Sequence, residues 1–245
     1  QLLRVHEWAA RVYRELLASS PEAKGARAYL EKRGLEPAHW ETLQLGYAPE
    51  RWDHLCRSAG AEGFSQELLL KSGLAIKREQ GDNCYDRFRS RVIFPIWDAR
   101  GRVIAFSGRL IEEDRKSPKY MNSPETELYV KGKVLYGLHL AAPHIREQDF
   151  CIVVEGNMDW VTPVSRGVRN VVASMGTALT EAQVKASAAR QLKPGRGVYL
   201  VVGDADAKLI VHDPSTGQDV PYLKDGQPLT LRQALADLAR RGDVG

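Results

Sequence analysis

The sequence contains few of the features that mark secreted or membrane-bound proteins. Its 245 residues include only three cysteines, Cys56, Cys84 and Cys151, which are odd in number and far apart in the chain. Such a set forms neither a disulfide framework nor a zinc motif, so it favours a reducing compartment. There is also no apolar run of membrane-spanning length and no signal-peptide pattern. We therefore expect a cytoplasmic protein without a membrane partner.

The charge balance is mildly basic. Lysine and arginine total 35 and aspartate and glutamate 31, which gives a net charge of +4 and a pI near 8.9. This excess weakly favours polyanionic partners. A chain of this length can form one large domain or two small ones. Because a helical pattern begins almost at Gln1, the chain looks like a domain excised from a longer protein.

The first third of the chain predicts helices. Helical spacing runs from about Val5 to Lys32, and Ser20 with Pro21 predicts a break and a new helix start. Gly34 predicts a helix end, and two more helices are expected within residues 52–72. These helices indicate a scaffold and no particular function.

A basic β surface is predicted after residue 85. Arg87, Arg89 and Arg91 alternate directly before an apolar run, and alternate residues of an extended chain point to one face. A hairpin turn at residues 99–102 then leads into a second strand, Val103-Ile104-Ala105-Phe106, which is followed by Gly108 and Arg109. Arginine forks bind phosphate oxygens in bidentate fashion, so this face favours phosphate binding. The alternative is a solvated or salt-bridged edge strand.

Lysines and an amide continue the basic region. The residues concerned are Lys119, Asn122, Lys131 and Lys133. Lysines beside aromatic and amide groups are typical of surfaces that follow a nucleic-acid backbone. Each alone is a weak signal because exposed lysines are common, but with the arginines they predict a basic half of the molecule.

The second half of the sequence predicts alternating strands and helices. Strands are expected at residues 150–155, 170–176 and 197–202. This order predicts a parallel sheet, and the carboxyl ends of its strands should share one edge. Glu155 ends the first strand, and Asp204 and Asp206 follow the third, so these carboxylates could hold a divalent cation there. The alternative is a strand-to-helix turn in which the acids, including Asp159, only favour the helix N-terminus.

Segments spread over nearly the whole chain form a recognisable set. They are residues 28–35, residues 45–49, Tyr85-Asp86-Arg87-Phe88-Arg89, Phe94-Pro95-Ile96, residues 119–126, Glu155-Gly156-Asn157-Met158-Asp159 and residues 173–178. In this order they resemble the RNA polymerase domain of bacterial replicative (DnaG-type) primases.

The resemblance implies a mixed architecture, an α/β chain that is α+β overall. It implies a basic N-terminal α/β subdomain (1–147), a topoisomerase-primase (Toprim) metal-binding subdomain with a parallel sheet (148–222), and the start of a helical subdomain (223–245). In the family, a zinc-binding domain precedes this region and a helicase-binding domain follows it.

Roles for individual residues also follow from the resemblance. It implies that Glu155, Asp204 and Asp206 are catalytic metal ligands, with Asp159 and Asp219 as further ligands. Arg87, Arg89, Lys119 and Lys131 match positions that hold template or nucleotide. We assign Arg91, Arg109, Asn122 and Lys133 to the same surface.

Three departures from the family pattern bear on the metal site. Asn157 replaces the usual tyrosine, and Pro221 replaces the second aspartate of an Asp-Pro-Asp motif, which removes one possible ligand. The family continues after Ala207 with a glycine and a helix, but here an apolar segment starts at once with Lys208. A parallel crossover needs about a dozen residues. Either the next strand turns back antiparallel or residues have been lost between Ala207 and Lys208, and we favour the loss.

The function implied by the resemblance is that of a nucleotidyltransferase, a primase-type DNA-directed RNA polymerase. It would make short RNA primers from ribonucleoside triphosphates on single-stranded DNA during replication, giving an RNA/DNA hybrid. Mg²⁺ would be the cofactor, with Mn²⁺ as a substitute, and zinc is expected only in the absent N-terminal domain. A replicative helicase would bind through an absent C-terminal domain, at the bacterial nucleoid. Two alternatives are Toprim-type strand cleavage, as in nucleases and topoisomerases, and a divergent domain that binds nucleic acid without catalysis.

Overall fold

The computed structural model describes residues 1–81, 83–111, 117–148 and 151–176, positions 180 and 183, and the strand segments 198–200, 210–213, 218–221, 223–224 and 227–228. The chain divides into two compact units, Gln1–Val130 and Lys131–Gly245, here called the first and second unit. Among the described helices, none combines the length and the apolar content that crossing a membrane requires.

The first unit combines short helices with an antiparallel sheet. Its described helices are α1 (Leu2–Ser19), α2 (Lys24–Lys32), α3 (Pro37–Thr42), α4 (His54–Ser58) and α5 (Gln66–Lys71). Its strands are β1 (Gly46–Ala48), β2 (Ala75–Lys77), β3 (Cys84–Asp86), β4 (Arg91–Trp97), β5 (Val103–Leu110) and β6 (Tyr120–Asn122). The sheet has the order β1-β4-β5-β6, and β2 pairs with β3 in a separate antiparallel hairpin.

Helix α1 packs its apolar side against β1 and β5. Val5, Ala9, Tyr13 and Leu17 recur every four residues and are buried. The contact is close, because a Cβ on Gly46 of β1 would lie 2.5 Å from the Cβ of Tyr13. Glycine is therefore required where the helix passes over the strand.

The predicted helix boundaries are confirmed. The Ser20 side chain accepts a hydrogen bond from the N–H of Glu22, and Pro21 opens the following turn. Gly34 follows the end of α2 with a φ of 77°, a left-handed conformation that glycine adopts without a steric penalty.

Strands β4 and β5 form the hairpin predicted from the sequence. Every residue of β4 is buried, as are all but the last residue of β5. In the turn, the Asp98 carboxylate accepts hydrogen bonds from the backbone N–H groups of Arg100 (2.9 Å) and Arg102 (3.0 Å). Gly101 supplies the positive φ that the turn needs.

Arg91 ties this hairpin to the segment that leads into β6. Its side chain is buried, Nη1 donates to the Gly108 carbonyl at 3.2 Å, and Nη2 donates to the Pro118 carbonyl at 2.9 Å. Burial, and secondarily the charge of Arg89, lowers the pKa of Arg91. The guanidinium stays charged at neutral pH, so the carbonyls compensate for the loss of hydration.

The second unit is built around a parallel sheet. Its described elements include α6 (Leu138–Gln148), β7 (Cys151–Val154), α7 (Asn157–Val164), β8 (Val171–Ala173) and β9 (Val198–Leu200). The order is β8-β7-β9, and both neighbours run parallel to β7. The parallel sheet predicted from the sequence is confirmed, and β8 is shorter at both ends than the predicted range 170–176.

The core of the second unit lies between this sheet and its helices. α6 contributes Leu138 and Ile145 to a buried cluster with Val153 and Val172. From α7, the buried Trp160 donates its indole N–H to the Val171 carbonyl at 2.7 Å. These contacts fix both helices relative to β7 and β8.

The last described strands lie partly in the segment predicted as the start of a helical subdomain (223–245). After β10 (Ile210–Asp213) and β11 (Gln218–Pro221), an antiparallel pair, β12 (Leu223–Lys224) pairs with β13 (Gln227–Pro228). The segment predicted as the start of a helical subdomain therefore begins with a strand pair, and the sequence between its strands, Asp225-Gly226, is a dipeptide favoured in two-residue hairpins. Residues 229–245, Ala207 and Lys208 lie outside the described residues. The helical subdomain and the loss of residues after Ala207 therefore stay predictions. The subdomain boundary at residue 147 also stays a prediction.

Removing the Arg91 side chain should destabilise the first unit. We expect Arg91→Ala to lower the free energy of unfolding by about 2–3 kcal/mol, because buried carbonyls lose charged donors. Urea denaturation measures this loss. Arg100→Ala, at an exposed position of the β4–β5 turn, is the control and should change stability by less than about 0.5 kcal/mol. Equal stability of the two variants would contradict a structural role for Arg91.

Candidate metal centre and basic cleft

Glu155 is the first residue after the buried strand β7, and it is exposed. Its carbonyl accepts hydrogen bonds from the N–H groups of Met175 (2.9 Å) and Gly176 (3.2 Å), which follow β8. Within the described residues, no hydrogen bond or ion pair engages its carboxylate. The backbone therefore fixes the position of Glu155, and its side chain is available at the carboxyl edge of the sheet, where ligands bind in parallel α/β folds.

The segment after β8 contains an unusual backbone conformation. Met175 is buried and has a φ of 66°, in the left-handed region that bulky residues rarely adopt. Such strained positions occur often at functional sites. Here the conformation turns the N–H groups of residues 175 and 176 toward the end of β7.

Asp159 has a structural role in the first turn of α7. Its Oδ2 accepts a hydrogen bond from the Gly156 N–H at 3.1 Å, which satisfies a donor at the helix N-terminus. A Cβ at Gly156 would lie 3.1 Å from the same oxygen. Asn157, beside it, is buried, and its Nδ2 has no hydrogen-bond partner among the described residues.

The remaining predicted ligands are placed only in part. Asp204 and Asp206 lie outside the described residues. Asp219 lies in β11 opposite His212. The carboxyl end of β9 shares the sheet edge of Glu155, because β9 runs parallel to β7. The described residues contain no group of three or more histidine, cysteine, aspartate or glutamate side chains that could hold a metal ion, so the metal centre stays a prediction to which Glu155 contributes an oxygen ligand of suitable chemistry.

The three alternating arginines line one open cleft of about 590 Å³ in the first unit. The sequence predicted that all three lie on one extended strand. This prediction is wrong, because β4 begins only at Arg91. Ser90 interrupts the alternation with a φ of 51°, held between the Pro49 carbonyl and the Ile111 N–H. Within the cleft, Arg87 is half-buried and donates to the Gly73 carbonyl at 2.7 Å. Burial lowers the pKa of Arg87.

Arg89 belongs to an aromatic platform, defined here as Arg89, Trp52 and Tyr85. Its guanidinium carbon lies 4.1 Å from the Trp52 ring centroid and 5.2 Å from that of Tyr85. The two rings meet edge to face, and Trp52 is 56% exposed. Trp52 was not predicted from the sequence as a functional residue. The available signal was a tryptophan between two charged residues, just before a helix.

Asp86 holds this platform in place. Its buried carboxylate accepts hydrogen bonds from the N–H groups of Leu55 (2.8 Å) and Cys56 (3.0 Å), at the start of α4. Its own N–H donates to the Trp52 carbonyl at 2.7 Å. Burial raises the pKa of Asp86, and the two N–H donors oppose that rise.

Arg109 lies inside the first unit rather than on its surface. It is 7% exposed in β5, its guanidinium carbon is 4.5 Å from the Tyr29 ring centroid, and Nη1 donates to the Tyr120 hydroxyl at 3.4 Å. Among the described residues, its Nε has no hydrogen-bond partner. The structure thus gives Arg109 a packing role between two aromatic rings.

The other predicted basic-surface residues are divided between the two units. Lys119 is exposed and Asn122 half-buried near β6, in the first unit. Lys131 and Lys133 form a short turn in the second unit, where the Lys131 carbonyl accepts a hydrogen bond from the Gln183 side chain at 3.3 Å. The cleft is therefore lined by Arg87, Arg89 and Arg91 but by neither Arg109 nor these lysines.

Comparison with known proteins relates both units to one family. A model of the DNA primase catalytic core N-terminal domain matches residues 12–142, and a Toprim domain model matches residues 149–208. A DNA primase of Pseudomonas putida is 46% identical over 177 residues, which are 72% of this chain and 26% of that protein. The chain thus spans about a quarter of this relative's length.

Solved structures agree with this relationship. The RNA polymerase domain of Mycobacterium tuberculosis primase DnaG in complex with double-stranded DNA matches with a TM-score of 0.79 and 31% identity, over 98% of this chain and 80% of that one. A DnaG primase catalytic domain bound to single-stranded DNA matches with a TM-score of 0.75 and 31% identity, over 96% and 84%. Since one family model alone covers more than half of the sequence, the chain belongs to the bacterial DnaG-type DNA primase family, as part of its catalytic domain.

Proposed function

We propose that this chain carries the catalytic region that synthesises short RNA primers on single-stranded DNA in the bacterial cytoplasm, at the nucleoid. The observation that carries the proposal is the placement of Glu155, an exposed carboxylate fixed by backbone hydrogen bonds at the carboxyl edge of a parallel sheet. The family relationship and the arginine-lined cleft of the first unit support it. The reaction class is nucleotidyl transfer directed by a DNA template.

The acidic residues would hold the cofactor. Glu155, Asp204 and Asp206 offer hard oxygen ligands of the kind that Mg²⁺ or Mn²⁺ prefers, with Asp219 as a further candidate. Asp159 contributes mainly by fixing the turn after β7, since one of its oxygens binds the Gly156 N–H. A metal held by these residues would lower the pKa of the attacking 3′-hydroxyl and neutralise charge on the triphosphate.

The aromatic platform would hold the template strand. Trp52 offers an exposed face on which an unpaired base can stack, and Arg89 beside it can pair with a phosphate. Because stacking and phosphate contacts carry little sequence information, recognition here should tolerate many sequences and weaken with salt. Lys119 and Asn122 in the first unit, and Lys131 and Lys133 in the second, are further candidates for contacts with template, ribonucleoside triphosphates or the RNA/DNA hybrid. No residue of this chain is assigned to zinc or to a helicase.

Replacing the Glu155 carboxylate should separate catalysis from template binding. We expect Glu155→Gln to lower primer synthesis at least about a hundredfold and Mn²⁺ affinity at least about tenfold, because a ligand charge is lost. Binding of single-stranded DNA should change by less than about twofold, since it depends on other residues. The measurements are incorporation of labelled ribonucleotides on a single-stranded template, Mn²⁺ titration, and fluorescence anisotropy of labelled DNA.

Glu147→Gln is the matched control, because Glu147 is another exposed carboxylate of the second unit. It should leave incorporation and Mn²⁺ affinity unchanged. Full incorporation by Glu155→Gln would refute the assignment. Nicking of a supercoiled plasmid without ribonucleotide incorporation would instead favour strand cleavage, and DNA binding that survives chelation without incorporation would favour a non-catalytic domain.

Changing the aromatic platform should weaken template binding in two distinguishable ways. Trp52→Ala should lower affinity for single-stranded DNA roughly tenfold without altering its salt dependence, because a stacking partner without charge is lost. Arg89→Ala should also reduce the slope of log affinity against log salt by about 0.7, the contribution of one phosphate contact. Arg100→Ala removes an equal charge from an exposed turn outside the cleft and is the control. Unchanged affinity in Trp52→Ala would exclude the platform as a template site.

A further inference from the structure

Two of the three cysteines meet in the structure although they are far apart in the sequence. The Sγ atoms of Cys56 in α4 and Cys84 in β3 are 2.9 Å apart, and both thiols are free. The remaining cysteine, Cys151, is buried in β7 of the second unit. A disulfide has an S–S bond of about 2.0 Å, so the cysteine pair Cys56–Cys84 needs only a small approach of the two sulfurs.

The backbone on both sides of the cysteine pair is held by Asp86. Its carboxylate binds the N–H of Cys56 itself, and its N–H binds the Trp52 carbonyl in the loop before α4. Cys84 precedes Asp86 by two residues in β3, which is anchored to β2. The two sulfurs are therefore close because α4 and β3 are held in a fixed relation. A rotation of each cysteine side chain about χ1 would close the remaining distance to a disulfide bond.

We propose that Cys56 and Cys84 form a redox modification site, which closes to an intramolecular disulfide when the protein meets hydrogen peroxide. The Cys56 thiolate attacks one peroxide oxygen and breaks the O–O bond, giving a sulfenic acid and hydroxide, which takes a proton to become water. The Cys84 thiolate then attacks the Cys56 sulfur and expels a second hydroxide, which also becomes water. Each sulfur gives up one electron, and one peroxide accepts both.

The burial of the two thiols assigns their order of reaction. Cys56 is half-buried and Cys84 is 7% exposed, so peroxide reaches Cys56 first. Burial, the hydrogen bond with Cys84 and the charge of Asp86 all raise the pKa of the Cys56 thiol. The first step is therefore slow, and the second is fast because its partner is already in contact.

The cross-link would join α4 to β3 and close a loop from residue 56 to residue 84. A loop of this length removes conformational entropy from the unfolded chain, which should raise the Tm by roughly 5–10 °C if the native backbone accommodates the bond. Tyr85, the residue after Cys84, belongs to the aromatic platform. The modification therefore forms directly next to that surface in the chain.

The test is peroxide treatment of the folded 245-residue chain. We expect a mass loss of about 2 Da, from two hydrogens, the loss of two alkylatable thiols, and a cross-linked peptide that joins Cys56 to Cys84. The Tm should rise as stated and return to its starting value with dithiothreitol. Alkylation after unfolding should still find Cys151 as a free thiol.

Matched variants decide whether the pair is responsible. Cys84→Ser, and independently Cys56→Ser, should lose both the mass change and the rise in Tm, whereas Cys151→Ala should keep both. Stepwise oxygen addition to Cys56 without a cross-linked peptide would overturn the proposal, and so would a disulfide that involves Cys151. A Cys56–Cys84 disulfide that lowers the Tm would also overturn it, because the native backbone would then have to move to form the bond.

Discussion

The second unit depends on one constraint, a strand that is buried along its whole length but is followed directly by a charged residue. β7 is hydrogen-bonded on both sides by parallel neighbours and buried at every residue, so it cannot carry a charge. Glu155, directly after β7, is the first residue after the start of this strand that is exposed to water. Two N–H groups after β8 bind its carbonyl, so the position of this carboxylate does not require any bond to the carboxylate itself. A carboxylate that we propose as a cation ligand is thereby placed without neutralising its charge.

In the first unit a carboxylate also stands at the end of a strand, Asp86 of β3, but there it has a structural role. Asp86 is buried, and desolvation raises its pKa, but it gives both oxygens to the first turn of α4. It thereby fixes Trp52 on one side and brings Cys56 to Cys84 on the other. The same hydrogen bonds thus support both the aromatic platform and the cysteine pair Cys56–Cys84. The two carboxylates have different roles because Asp86 is buried and Glu155 is exposed.

The sequence predicts those features that depend on local pattern. An apolar run that ends in an acid and a glycine was enough to predict strand β7 and the position of Glu155 at its carboxyl end. Ser20 and Gly34 marked helix boundaries correctly. Features that depend on distant backbone were not predictable. The positive φ of Ser90 arises from contacts with residues about twenty to forty positions away. The carbonyls bound by Arg91 and the contact of Cys56 with Cys84 likewise come from segments that only the fold brings together.

The arginines show why a motif match does not assign equal roles to its members. Arg91 donates to buried carbonyls, and Arg109 lies between aromatic rings, so each would lose native contacts if it turned toward a ligand. Arg89 donates from Nη1 to the Asp86 carbonyl and stacks on the exposed Trp52 ring, so a phosphate can approach the rest of its guanidinium without breaking the core. An arginine contributes to the free energy of ligand binding only through those N–H groups that are not already used in native contacts. The proposed binding of polyanions at the cleft would therefore depend mainly on Arg89, while Arg91 and Arg109 maintain the shape of the sheet.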